Sequence, residues 1–538
     1  MSYRFSSVTP QEAIFERAMQ GLPRKTDSLC PECLEVIEAC IFEEDGKVIM
    51  EKRCGKHGSC RDIVYSDAQL YRKIEKWSFF EGEGIANPKV QDATLCPWSC
   101  GLCQMHYSTP ALTNIDLTNR CNLRCRFCFA NANATDYVYE PGLDQIKRML
   151  EQAISVRPRR EQAVQFSGGE PSLSPHFIEA CRYARTLGYA RIQAATNGII
   201  FAQNFEFVEK AREAGLDTLY LQFDGTDEKI YRETRGVNLW EIKQKCIETS
   251  RKLNIAVVLV PTIVKTINDD QIGKILQFGI NNVDVIPGIS YQPVCFTGRI
   301  DQHLRMQQRF TLSDLAWAVE KQTGYASAMR DWYPIAMINP LTRVMDSFKK
   351  GDVKNMFCSC HTNCGIGTFL FVNRATKEVI PFPKIFDIEK AALDMVRLAE
   401  KMERKPSKLY ATLCIINLFR KHFLSQKDTD FNLFTFLKIM DHYAGGQLGI
   451  AKRDKYQWRM IYCAGMHFQD AFNYNVERVK RCVIHYSSPD GKMYPFCTYN
   501  SGPYFREKIE RQFSIPKEDW IRMKGSSFVS EGFFGEAP

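Results

Sequence analysis

Residues 117–132 read LTNRCNLRCRFCFANA, with Cys121, Cys125 and Cys128 spaced C-x3-C-x2-C and Phe127 directly before the last cysteine. Three thiolates on one short loop can hold three irons of a [4Fe–4S] cluster and leave the fourth without a protein ligand. An open iron can chelate a small molecule. A structural zinc loop is the competing reading, but zinc sites call for four ligands in paired knuckles.

Downstream, residues 163–171 read AVQFSGGEP. The apolar run 163–166 reads as a strand that ends in Gly168, Gly169 and Glu170. Glycines at a strand end let a ligand approach the backbone closely. Further apolar runs at 114–117, 191–195, 218–223, 256–261 and 283–289 alternate with helical stretches such as 142–155, 175–187 and 240–253. Alternation of this kind implies a parallel sheet with right-handed crossovers, with ligand groups at the carboxyl ends of the strands. Asn197 and Asp224 follow two such ends. Asn197 is a candidate for the cofactor pocket and Asp224 a second, although Asn-Gly and Asp-Gly are also common turn dipeptides.

Together, the triplet with its aromatic and the Gly-Gly-Glu resemble the signature of the radical S-adenosylmethionine (SAM) superfamily. The resemblance implies an α/β fold, a partial (β/α)6 barrel, with SAM bound to the open iron through its amino and carboxylate groups. It makes Phe127, Gly168, Gly169, Glu170 and Asn197 cofactor-binding candidates, with the Gly-Gly-Glu segment on the methionine amino group. Reductive cleavage of SAM would then yield a 5′-deoxyadenosyl radical able to take hydrogen from an unactivated carbon.

The chain has 538 residues, too many for one compact core. Four segments are expected: an N-terminal metal ribbon (1–90), an auxiliary-cluster motif (91–110), the barrel (111–310) and a C-terminal domain for auxiliary clusters and substrate (311–538). Hydrophobic content of 45% and charged content of 25% describe an ordinary globular protein. The net charge of +9 suits anionic partners without choosing among them. The opening MSYRFSSVTPQEAIFERAM lacks the apolar core of a secretory signal, and no apolar run approaches the roughly 18 residues that span a bilayer. Twenty-one cysteines without an export signal argue for metal thiolates in a reducing cytoplasm rather than disulfides.

Cys30-Pro31-Glu32-Cys33 is one knuckle, followed by a hairpin turning at Asp45-Gly46 and then by Cys54-Gly55-Lys56-His57-Gly58-Ser59-Cys60. Knuckle, hairpin and second knuckle make a mononuclear zinc or iron site of Cys30, Cys33, Cys54 and either His57 or Cys60. His57 mirrors the first knuckle's spacing and is favoured. Cys96, Cys100 and Cys103 repeat C-x3-C-x2-C just before the barrel, and Cys360, Cys364, Cys463, Cys482 and Cys497 follow it. Eight thiolates suffice for two further [4Fe–4S] clusters, giving three in all. Cys358 is an equally plausible member by position.

The segments TDSLCPEC, CPWSCGLCQMH, CNLRCRFCFA, SGGEP, CHTNCG and RCVIHY…PFCTYN together resemble the archaeal tetraether lipid synthase family. Ser99 stands where that family usually has an Asp-type residue. The resemblance implies joining of terminal methyl carbons of two isoprenoid chains, with an archaeal diether phospholipid substrate and peripheral membrane contact. A reductant protein such as ferredoxin or flavodoxin would supply electrons. Residues 408–448 read as two apolar helices, either core packing or the wall of a lipid tunnel. The alternative is a radical SAM modification, a methylation, of a pterin, whose pocket would be small and polar. A nucleic-acid modifier would want a basic stripe with aromatics, which the first 90 residues lack. A non-catalytic electron carrier leaves the SGGEP motif unexplained.

Overall fold

Apolar runs bounded by turns become strands here because both faces of the sheet are covered. The computed structural model describes residues 21–79, 82–346, 354–404, 408–424, 429–443 and 457–524. The N-terminal stretch 1–20, and 425–428 and 444–448 of the apolar C-terminal stretch, lie outside the described residues.

Strands β1 (Arg24–Leu29), β2 (Val36–Glu44), β3 (Lys47–Cys54) and β4 (Gly58–Tyr65) form an antiparallel ribbon in that order. Asp45 and Gly46, at φ of 50° and 71°, make the two-residue turn between β2 and β3. Six further strands lie side by side and parallel: β5 (Leu112–Thr118), β6 (Ala163–Gly168), β7 (Arg191–Thr196), β8 (Thr218–Gln222), β9 (Ala256–Val260) and β10 (Gly288–Pro293). Helices α1 (Leu143–Ile154), α2 (Phe177–Thr186), α3 (Glu228–Arg235), α4 (Trp240–Lys252) and α5 (Ile272–Asn281) intervene. This is the partial barrel expected from the alternation.

The sixth strand starts at Gly288 and not at 283. The chain leaving α5 turns through Asn282, whose carbonyl accepts Val285 N–H at 3.0 Å and Ile286 N–H at 2.9 Å. The run 283–286 is therefore a turn, and the regular strand starts at Gly288. C-terminal residues extend the same sheet at both edges. β12 (Trp458–Met466) runs parallel beside β10, β11 (Gly365–Asn373) antiparallel to β12, and β13 (Ile484–Ser487) parallel beside β5.

One face of the barrel strands carries polar side chains at alternate positions. Gln165 donates to Asn114 at 2.7 Å and Gln193 to Gln165 at 2.7 Å, an amide row across three strands. Ser167 donates to Asp116 Oδ1 at 2.7 Å, one step closer to the strand ends. The ribbon docks through buried charge: Arg309 bridges Asp62 of β4 and Asp470, and Lys52 of β3 donates to the Ala471 carbonyl at 2.6 Å.

Residues 408–448 contain two helices, Lys408–His422 and Leu433–Tyr443, that pack with Ile388–Arg404 into an apolar cluster. Beside them is a cavity of about 590 Å³ lined by residues including Phe369, Met395, Phe419 and Met440. It reaches Gln162 and Pro287, which precede β6 and β10, and so lies at the end of the sheet opposite the cysteine triplet. No residue of the 121–128 loop lines it. Among the described residues, no helix is long and apolar enough to cross a membrane.

Candidate active site

The cysteine loop leaves the carboxyl end of β5 and is tied into a fixed ring. Asn133, at φ 64°, donates from Nδ2 to the carbonyls of Cys121 (2.7 Å) and Leu123 (3.1 Å), and its Oδ1 accepts Cys121 N–H at 3.1 Å. Arg299 closes the other side, with its guanidinium on the Cys125 carbonyl (3.2 Å) and its N–H on the Cys128 carbonyl (3.1 Å). Gly298 sits at φ 64° against that loop; a Cβ there would come within 2.6 Å of the Cys128 carbonyl oxygen.

Burial pushes the Cys121 thiol well up, and its neighbours Cys125, Glu170 and Cys128 add to the effect. Three partly buried thiols on one short loop fit a cation cluster that keeps one iron open. They are not drawn together as single-ion ligands are; among the described residues only the ribbon group is. There Cys30, Cys33, Cys54 and His57 bring one ligand atom each within 4.8 Å of one another. His57 Nδ1 lies 3.5 Å from both Cys30 Sγ and Cys54 Sγ, and hydrogen bonds from Lys56 N–H and His57 hold the Cys54 thiol down at about 6. Cys60 stays outside the group.

The Gly-Gly-Glu segment crosses the start of the cysteine loop at backbone distance. Gly169 N–H donates to Thr118 O (2.8 Å) and Glu170 N–H to Arg120 O (2.9 Å). A Cβ on Gly168, at φ 129°, would sit 2.1 Å from the Thr118 oxygen, so glycine is required for the crossing itself. The buried Glu170 carboxylate accepts from Ser172 N–H, Ser172 Oγ and Thr196 Oγ1 on one oxygen, and from Asn197 N–H at 2.8 Å on the other. It is committed to joining the ends of β6 and β7. Asn197 in turn points Nδ2 at Asn122 Oδ1 (2.6 Å) and lies 3.9 Å from Cys121 Sγ. Phe127 is buried among Val264, Val294, Phe296 and Ile300.

Of the polar residues at the site, Asp224 is one the sequence offers; Arg235, Lys243, Gln222, Asp116 and Arg506 escape it. Asp224 is buried and paired with Arg235; Lys243, its ammonium lowered to about 8 by burial, donates to Asn197 O and to Gln222. Arg506, on α6 (Phe505–Gln512), reaches Asp116 Oδ2 at 2.6 Å. Alternating polar positions within the apolar strands were the available signal for Asp116 and Gln222.

The outlying cysteines divide unevenly. Partial burial raises the Cys96 thiol, and Cys100 and Cys103 raise it further. The buried Cys360 thiol is raised further by Cys364, Cys358 and Cys482, and that of Cys482 by Cys497 and Cys364. Cys463 is not brought to either group: it lies in the middle of β12, fully buried in the main core, and burial alone raises its thiol. Between the cysteine loop and Cys497 is a narrow crevice of about 30 Å³ lined by Phe127, Phe129, Gln292, Gln469, Phe496 and Asn500, among others.

The Radical SAM superfamily model matches residues 115–279, and the model of the HMPTM N-terminal zinc ribbon domain matches residues 22–66. A 7,8-dihydro-6-hydroxymethylpterin dimethyltransferase of Methanocaldococcus jannaschii is 41% identical over 510 residues, 93% of this chain and 98% of that protein. A probable GTP 3',8-cyclase of Pyrococcus abyssi is 28% identical over 165 residues, 30% of this chain and 51% of that protein. Among solved structures, Streptococcus suis SuiB bound to precursor peptide SuiA covers 56% of this chain and 70% of its own, at 16% identity and a TM-score of 0.34. These matches correct the expectation of a tetraether lipid synthase: the near full-length relative is a pterin dimethyltransferase. The cysteine motifs identify the cofactor and carry no information on the substrate, which is why they misdirected that reading. The lipid-joining activity is withdrawn with it.

Proposed function

We propose that this chain, which belongs to the radical SAM family of the M. jannaschii 7,8-dihydro-6-hydroxymethylpterin dimethyltransferase, methylates a reduced pterin. The observation that carries the proposal is identity of 41% across 98% of that relative. When bound, SAM and the [4Fe–4S] cluster supply a 5′-deoxyadenosyl radical. Cys121, Cys125 and Cys128 would hold the cluster. Gly168, Gly169 and Asn197 would frame the cofactor, with Glu170 fixing the two strand ends that present them.

The crevice supports a flat, polar substrate better than a chain-like one. Phe129 and Phe496 offer ring faces, with centroids 5.7 Å apart, and Gln292, Gln469 and Asn500 offer amide edges. At about 30 Å³ it must widen to admit a bicyclic ring, and Phe129, 37% exposed, stands at its lip. The coupled set Cys360, Cys364, Cys482 and Cys497 is suited to one auxiliary [4Fe–4S] cluster, and Cys96, Cys100 and Cys103 to a second lacking one protein ligand. The ribbon site would hold zinc. A small reductant protein such as ferredoxin or flavodoxin would deliver electrons.

The test is anaerobic incubation with SAM, a reductant and 7,8-dihydro-6-hydroxymethylpterin, followed by mass spectrometry. Methylated pterin together with 5′-deoxyadenosine is expected. Formation of 5′-deoxyadenosine with an unchanged pterin would overturn the substrate assignment.

A further inference from the structure

Arg235 is the last residue of α3, a helix whose ends are both sealed. Asp227 caps the start by accepting Ile230 N–H at 3.2 Å, and Gly236, at φ 82°, ends it in the left-handed region. The helix thus delivers one guanidinium to a fixed, buried place. There it meets Asp224 in a two-point ion pair, Nε to Oδ2 at 2.5 Å and Nη2 to Oδ1 at 2.9 Å. Asp224 Oδ1 also accepts Thr262 N–H at 3.1 Å, which locks the carboxylate in turn.

The free edge of the guanidinium faces the cysteine loop. Nη1 lies 3.4 Å from the Phe127 carbonyl, in the turn between Cys125 and Cys128, and while burial raises the Cys125 thiol the Arg235 charge opposes it. A cation held against the ligand loop, backed by a buried carboxylate, has an electrostatic consequence beyond holding the loop.

We infer that Arg235 and Asp224 are positioning residues that set the reduction potential of the [4Fe–4S] cluster of Cys121, Cys125 and Cys128 through their charges beside its loop. Reduction adds one negative charge to the cluster, so a buried cation beside its ligand loop favours the reduced form and raises the potential. A carboxylate close behind opposes it. Because the pair is sealed from water, neither charge is well screened. The two residues therefore act with opposite sign, and their balance gives the native value. This rests on the cluster at Cys121, Cys125 and Cys128 and is independent of the pterin assignment.

The experiment is a redox titration of the full-length, anaerobically reconstituted protein without substrate, followed by electron paramagnetic resonance. The signal that changes on adding SAM isolates the open-iron cluster from any other. Arg235→Gln leaves the carboxylate unopposed and is expected to move the midpoint to more negative potential. Asp224→Asn leaves the guanidinium unopposed and is expected to move it to more positive potential. The double variant should fall between the two. If either single variant takes up no iron, Arg235→Lys or Asp224→Ser replaces it, with a shift of the same sign, since Lys lacks the fork that meets the carboxylate at two points and Ser carries no charge. Shifts of one common sign, as general loosening of the site would give, overturn the inference, as does any other pattern or the absence of a shift.

Discussion

The Glu170 carboxylate accepts the backbone N–H of Asn197 at 2.8 Å, so one side chain fixes the ends of two adjacent strands, β6 and β7. Its other oxygen takes Ser172 N–H, Ser172 Oγ and Thr196 Oγ1. Burial raises its carboxyl, and these hydrogen bonds pull the other way. Glu170→Gln turns one acceptor into a donor and leaves at least one buried partner unmatched, at a cost of about 1–3 kcal/mol. We expect a lower melting temperature and a SAM affinity weakened by about tenfold per 1.4 kcal/mol transmitted to the site. Equilibrium dialysis with labelled SAM reads this; unchanged affinity and melting would show that Glu170 does not shape the pocket.

Glu161 makes stability depend on pH. It is buried before β6, one carboxylate oxygen accepts Thr113 Oγ1 at 2.5 Å, and the other has no hydrogen-bond partner. Burial pushes its carboxyl up to about 8 from 4.5. The folded chain therefore keeps this proton where the unfolded chain has lost it. Between those two values the fold binds more protons, so Glu161 makes stability fall as pH rises, with a slope of up to about 1.4 kcal/mol per pH unit, levelling off above the folded value. Glu161→Gln should remove this slope. Urea unfolding of both proteins from about pH 5 to 9 tests it; parallel curves would mean that the carboxyl stays ionised in the fold.

The thiol groups separate by mutation. Cys463 sits in the strand core, whereas the charges of Cys497 and Cys364 add to burial in raising the Cys482 thiol. Cys463→Ala should keep the full iron content at a packing cost of about 1–2 kcal/mol. Cys482→Ala should lose about four irons, one cluster's worth, while still cleaving SAM. Equal iron loss in the two variants would put Cys463 back among the ligands.

Legibility followed locality. Cys121, Cys125 and Cys128, and likewise Cys30, Cys33, Cys54 and His57, are ligand sets whose spacing is set by short turns, and their chemistry reads directly off the chain. Cys463 was assigned by counting thiols, and counting has no geometry. The strand expected at 283–289 failed because apolar character marks burial, which a buried turn shares with a strand. Arg235 sits at a helix end that looks solvated in sequence; only its meeting with Asp224, eleven residues earlier, makes it part of the site. The substrate was least legible of all, because the radical is supplied by the cofactor and the same cysteine motifs accompany different substrates.

The ribbon gives the last prediction. Its four ligands close on one another, and the Cys54 thiol is already held low by Lys56 N–H and His57, an arrangement ready for a divalent ion. Metal binding contributes directly to folding energy in such units. The ribbon is also tied to the crevice wall: Asp62 of β4 pairs with Arg309, which pairs with Asp470, next to Gln469 of the crevice. The cysteine loop has its own braces in Asn133 and Arg299. Cys54→Ser should therefore lose one zinc, expose residues 22–66 to limited proteolysis and weaken pterin turnover, yet leave substrate-free SAM cleavage within about twofold, because the loop's hydrogen bonds are untouched. Elemental analysis, proteolysis and 5′-deoxyadenosine release measure the three effects. If SAM cleavage falls in step with zinc, the ribbon supports the cluster loop itself and not only the crevice wall.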